Sequence, residues 1–239
     1  MNVQATASIA DYAATHSIFL IYISTDYVFP GKSGEAPYKS TDNPQPTNIY
    51  GQTKLEGEYA VLEASKPGQA VVLRVPVLYG ETAPKDNNKE SAVNVLMDAL
   101  WKSQNDSGKV IMDDYAIRYP TNTSDVARVC VDIAKLYTSV TANEPSPSKK
   151  LEDLPRTLQF SSEDRMTKYE MVVKLGEIMD LPVDNIEADK ESGKKPGTDG
   201  TLRPYDCHLD TSDLKQLGID VSTVDFVAWW RRWVGAYRH

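Results

Sequence analysis

Ile18-Phe19-Leu20-Ile21-Tyr22-Ile23, running directly into Ser24-Thr25-Asp26, decides the fold. Six consecutive apolar residues, rich in β-branched and aromatic side chains, predict a strand covered on both faces, as in a parallel sheet. The polar triplet stands at its C-terminal end, where open parallel α/β sheets bind ligands. This run is also the longest apolar stretch of the chain, and it falls far short of the roughly 20 residues that span a bilayer.

Working outward, Val3, Ala7, Ala10 and Ala14 recur at helical spacing before His16-Ser17, which predicts a helix upstream of the strand. Downstream, Pro30 to Pro46 holds four prolines and two glycines and reads as a long irregular loop. A helix is expected from near Tyr50 to Glu63, stopped by Pro67-Gly68, and then a buried strand, Ala70 to Val75, closed by Pro76. Strand, helix, strand is a βαβ unit. Further helices are expected over Ala92 to Trp101 and Val126 to Leu136, the second capped by Thr123, Ser124 or Asp125. Leu158-Gln159-Phe160 reads as a short strand. Thr167-Lys168-Tyr169-Glu170 fits a capping box opening a helix to Met179, and a last helix runs from Val224 to Val234. Thr138 to Pro155 reads as a surface insertion and Asp189 to Thr201 as a mobile polar loop. No internal repeat is visible.

The chain has 239 residues, 41% hydrophobic and 25% charged, with 26 Lys+Arg against 34 Asp+Glu for a net charge of -8. That composition belongs to a globular protein with a substantial core. Its acidic balance argues against generic binding to nucleic acid or anionic membrane, both polyanions. Met1 to Thr6 shows no basic segment followed by an apolar one, so no secretory signal is read and the cytoplasm is the expected compartment. Cys130 and Cys207 are too few for a disulfide framework. His16, His208 and His239 are isolated, so no metal site is expected.

Tyr50-Gly51-Gln52-Thr53-Lys54 carries the strongest chemical signal. Tyr50 and Lys54, four apart, project from one helical face. A tyrosine hydroxyl is a poor acid at neutral pH, but a nearby ammonium favours the phenolate and lowers its pKa. A hydroxyl from the adjacent strand end, Ser24 or Thr25, can then donate to the substrate oxygen that Tyr50 protonates. Alone, the pattern reads as an amphipathic helix face; its position after a strand ending in Ser-Thr and before a strand ending in Pro-x-x-Tyr-Gly gives it chemical weight. Gly193, Gly197 and Gly200 follow no strand and read as a flexible loop. The C-terminal stretch from Trp229 to His239 combines aromatics with Arg231, Arg232, Arg238 and His239. It either packs its tryptophans on the protein or offers interface anchors.

The segments Tyr22 to Phe29, Tyr50 to Glu58 and Leu73 to Gly80, with Asn2-Val3, resemble the extended short-chain dehydrogenase/reductase superfamily, and within it the RmlD-like, dTDP-4-dehydrorhamnose reductase branch. Arg118-Tyr119-Pro120-Thr121, Asp125-Val126-Ala127, Met166 to Glu170, Arg203-Pro204 and Leu214 to Ile219 are similar to the regulatory beta-subunit family of methionine adenosyltransferase in that branch. The resemblance implies an α/β fold: an incomplete Rossmann-like parallel sheet over 1–80 and a small C-terminal α/β substrate lobe over 81–239, with a returning sheet strand at 158–160. It implies Thr25 or Ser24 as the carbonyl-polarising hydroxyl, Tyr50 as the acid, and Lys54 as its tuner and a ribose ligand. Asn2, Tyr50, Lys54 and Val77 would be the cofactor-binding residues, Arg203 the substrate contact, and Trp233, Tyr237, Arg238 and His239 the partner-binding tail. The family's cofactor is NADP. The fold's Gly-x-x-Gly-x-x-Gly turn, which grips the pyrophosphate at a helix N-terminus, does not precede Asn2. About three βα units, on the order of 90 residues, are expected to be missing, through a truncated gene model, a fragment or a shortened isoform. Weak NAD(P) binding at best is expected. The implied function is non-catalytic: a regulator that binds the catalytic subunit of methionine adenosyltransferase and modulates S-adenosylmethionine synthesis. The rival reading is an NADPH-dependent reductase of a nucleotide-linked 4-keto sugar.

Overall fold

A strand, a crossover helix and a second strand running the same way can pair only in parallel. The computed structural model describes residues 2–82, 88–105, 109–141, 153–194, 196 and 202–235. Strand β1 (Leu20–Thr25) passes through helix α2 (Ile49–Ala64) to β2 (Ala70–Val75), and the two pair in parallel from Leu20↔Ala70 to Thr25↔Val75. Strand β6 (Thr157–Gln159) lies parallel on the other side of β2, giving the order β1-β2-β6. The central strand β2 is buried at every position.

Strand β1 packs on both faces over its first half, though its side chains there are only partly buried. Its first half alternates as a pleated strand must. Leu20 and Tyr22 pack with Ala10, Val61 and Ala70 under α1 (Asn2–Thr15) and α2, while Phe19 and Ile21 join the opposite cluster around Val71 and Tyr137. Because β1 is the edge of this sheet among the described residues, Ile23 keeps 37% of its surface exposed.

Helix α4 (Thr123–Thr141) covers β2 and β6 with Val126, Val129 and Ile133. Its start differs from the expectation. Asn122 caps it, accepting from the Ser124 N–H at 2.9 Å, and the Asp125 carboxylate accepts from the Val224 N–H at 2.9 Å instead. A second core gathers α3 (Val95–Asn105), α5 (Lys168–Met179) and α7 (Phe226–Val234) around Leu100, Leu175 and Trp230. The capping box of α5 is present: Glu170 N–H donates to Thr167 Oγ1, and Thr167 N–H donates to Glu170 Oε2. Two short parallel pairs that the sequence did not signal complete this side. These are β3 (Leu78–Tyr79) with β5 (Thr121–Asn122), and β4 (Val110–Asp113) with β7 (Ile186–Asp189).

Helix α6 (Ser212–Gln216) ends a segment that runs back against the 30–46 loop. Tyr205 N–H donates to the Gly31 carbonyl at 2.9 Å, and a Cβ on Gly31 would stand 2.4 Å from that of Pro204. Glycine at 31, at φ +61°, lets the stretch carrying Arg203 lie against the sheet end. Much of the expected insertion at 138–155, together with Gly197 and Gly200, lies outside the described residues. Gly193 is in view and packs on the Tyr115 ring, 1.9 Å from where its Cβ would be.

Candidate functional site

The C-terminal ends of β1 and β2, the start of α2 and the segment around Arg203 enclose a cleft of about 640 Å³. Two local features seat α2. Asn48 caps it, accepting from the Gly51 N–H at 2.8 Å. Gly51 then lies so close that a Cβ would stand 2.1 Å from the Tyr27 carbonyl oxygen. A larger residue there would push Tyr50 away from the strand end.

Thr25, Tyr50, Lys54, Val77 and Arg203, residues that the resemblance names, all line this cleft. The Thr25 hydroxyl acts on the Tyr50 phenol, opposing the upward push of burial on its pKa. Thr25 Oγ1 also donates to Asp26 Oδ1 at 2.9 Å and accepts from the Tyr27 N–H at 3.2 Å. Val77 also packs on the second core, and its carbonyl accepts from the Thr121 N–H at 3.0 Å.

Lys54 departs from its expected pose. Its Nζ donates to the Ile23 carbonyl at 2.6 Å and lies 4.4 Å above the centre of the Tyr22 ring. Burial draws its pKa down and the Glu58 carboxylate opposes that. The Tyr50 phenol is accordingly raised above 10.0, not lowered: burial dominates, the Thr25 hydrogen bond opposes it, and the Asp26 charge adds to it.

Ser24 is turned to other work. Its Oγ donates to Glu58 Oε1 at 2.5 Å, and Arg74 grips the same carboxylate through Nε at 3.0 Å and Nη2 at 2.7 Å. All three residues are buried.

Asp26 and Arg118 were not singled out as site residues by the sequence. Burial raises the Asp26 carboxyl to about 6, against the pull of the Thr25 hydrogen bond and the Arg118 charge. Arg118, 5% exposed, donates through Nη1 to the Ile117 carbonyl at 2.9 Å; its Nη2 lies 3.7 Å from Asp113. Its guanidinium stands 5.8 Å from the centre of the Tyr27 ring, which itself meets Tyr50 edge-on at 6.3 Å. The position of Asp26 directly after Ser24-Thr25 was a usable signal; Arg118 comes from distant chain and offered none by spacing.

The remaining expected residues are elsewhere. Trp233 stacks on Trp229 at 5.3 Å on the face of α7 that packs into the second core, so the packing alternative applies to the tryptophans. The side chain of Asn2, and Tyr237, Arg238 and His239, lie outside the described residues. Among the described residues, no group of three or more His, Cys, Asp or Glu could hold a metal ion, and no helix is long and apolar enough to cross a membrane.

Residues 1–228 match the RmlD substrate binding domain family. The chain is 39% identical over 229 residues, 93% of its length, to methionine adenosyltransferase 2 subunit beta of Bos taurus. It spans 59% of that relative's length. It is 35% identical over 136 residues to the dTDP-4-dehydrorhamnose reductase of Aggregatibacter actinomycetemcomitans, covering 56% of this chain and 42% of that one. Among solved structures it resembles the dTDP-4-dehydrorhamnose reductase of Bacillus anthracis in complex with NADP. The TM-score is 0.72 at 23% identity, over 98% of this chain and 70% of that one, a likeness of fold.

Proposed function

The chain belongs to the RmlD substrate binding domain family, and from that premise we propose that it is a regulatory subunit that binds methionine adenosyltransferase and modulates S-adenosylmethionine synthesis. The observation that carries this reading is the 39% identity sustained over 93% of the chain with a beta subunit, where the reductase match reaches only 56%. The state of the dyad supports it: a phenol raised above 10.0 beside a lysine bonded to Ile23 is a weak acid for carbonyl reduction. The partner contact is assigned to the end of the chain beyond the packed Trp233, to Tyr237, Arg238 and His239. Co-purification with the catalytic subunit, before and after deletion of Val234 to His239, tests this. The reading requires association of the intact chain and its loss on deletion; no association in either case overturns it.

For NAD(P), the described residues fit one end only. Tyr50, Lys54 and Val77 share the cleft and would face the nicotinamide and its ribose, with residues 1–80 as the nucleotide side and 81–239 mostly the substrate lobe. Among the described residues no glycine-rich turn joins a strand to a helix, so they provide no grip for the pyrophosphate. When bound, such a cofactor supplies hydride.

One observation favours a second reading, an NADPH-dependent reductase of a nucleotide-linked 4-keto sugar. Thr25 and Tyr50 line the same cleft as Arg118 and Arg203. NADPH oxidation in the presence of such a sugar, abolished by Tyr50→Phe, would establish it; the regulatory reading expects none.

A further inference from the structure

One buried carboxylate holds the cleft's two walls together. Glu58 lies four residues beyond Lys54, one turn along α2, and reaches the ends of both strands: Ser24 at the end of β1 donates to Oε1, and Arg74 of β2 takes both oxygens. Arg74 also stands 5.0 Å over the Phe29 ring and donates through Nη1 to the Ser40 carbonyl at 3.3 Å. We propose that Glu58 is the positioning residue of this cleft, acting through two neighbours. It turns the Ser24 hydroxyl inward, leaving Thr25 as the strand-end hydroxyl beside Tyr50, and its charge holds the Lys54 ammonium in place at Ile23.

Three observations converge on this. The carboxylate accepts three hydrogen bonds from two strands while riding on the helix that carries Tyr50 and Lys54, so the helix cannot slide without breaking all three. Among the described residues, the Glu58 carboxylate one turn along α2 favours the Lys54 ammonium by its charge, and the Tyr22 ring beneath it adds a cation–π contact. Lastly, the Tyr22 hydroxyl sits against Gly57, 2.2 Å from where a Cβ would be, which fixes the ring on which Lys54 rests. The proposal goes beyond the regulatory and reductase readings and is independent of both, because it concerns the chemistry of Lys54 itself.

The test is pulsed acetylation of the intact chain with acetic anhydride, read at Lys54 by mass spectrometry, with the exposed Lys39 and Lys66 as internal standards. In the double variant Glu58→Gln/Arg74→Met, which leaves no charge unpaired, Lys54 is expected to acetylate about fivefold faster at pH 8 with the standards unchanged. A merely structural pair would leave the Lys54 rate at the wild-type value, and a cooperatively melting double variant with that result overturns the proposal. Should the double variant not melt cooperatively, Glu58→Asp decides. It keeps Arg74 paired but draws the carboxylate back, so Lys54 should acetylate at least about twofold faster, and an unchanged rate overturns the proposal equally.

Discussion

Lys54 donates to the carbonyl of Ile23 at 2.6 Å, on a strand whose outer edge no other described strand covers. In a parallel strand both backbone groups of a residue point to one side. Leu20 N–H is bonded to Gln69 on the β2 side, so Ile23, three residues on, turns its carbonyl outward. Lys54 satisfies that carbonyl and shields the edge with a charge. Its ammonium therefore serves the strand, and Tyr50 is left to burial and Thr25.

Tyr50 should keep its proton beyond the ordinary range. With tyrosine labelled at Cζ and Tyr50 assigned through Tyr50→Phe, NMR titration is expected to place this phenol above 10.0, the direction set by burial. A phenol titrating below 10.0 would mean that Lys54 acts on it after all.

Asp26 costs the fold stability at neutral pH. Its carboxyl is raised from 3.8 to about 6, so the protonated form is favoured in the folded state. The cost is absent below the unfolded value, grows as pH rises through that interval, and is complete above the folded value. At roughly 1.36 kcal/mol per pH unit it amounts to about 3 kcal/mol. Asp26→Asn is expected to raise the melting temperature at pH 7.5 and to have little effect at pH 3.5. Equal effects at both would exclude the linkage. A carboxylate kept at such a cost inside a cleft points to a ligand-facing role.

Arg74→Met alone leaves Glu58 buried without its counter-charge and should cost about 3–5 kcal/mol in denaturant unfolding. Adding Glu58→Gln should recover most of that loss. Additive losses from the two changes would show that the residues do not act as a pair.

Trp230 is fully buried, 5.0 Å from Trp229, 6.0 Å from Phe226 and 6.1 Å from Tyr79 between ring centres. Trp230→Ala should cost about 3–5 kcal/mol. Trp233→Ala, at a half-buried position, should cost distinctly less, measured in the same unfolding experiment. A reversed order would place the anchor of α7 at its end.

The sequence was informative where local pattern and burial agree. Strand β2 runs over Ala70–Val75, apolar at every position but Arg74, and the capping box at Thr167 and Glu170 opens α5 as written. The spacing of Thr25, Tyr50 and Lys54 brought three residues to one cleft. Spacing locates Cβ atoms, however, and a long flexible side chain chooses among partners that only the assembled sheet reveals. Lys54 went to Ile23 for that reason, and Ser24 to Glu58. Arg74 inside an apolar strand was a readable sign of a buried counter-charge. Strands β4 and β7, four residues each and paired across 76 positions, meet through contacts that no local period announces.

The central claim is association with methionine adenosyltransferase, and sedimentation velocity of the chain mixed with the catalytic subunit addresses it directly. A faster-sedimenting complex containing both proteins is expected, with the rate of S-adenosylmethionine synthesis altered in the mixture. Two independent boundaries at micromolar concentrations, with an unchanged rate, would contradict it.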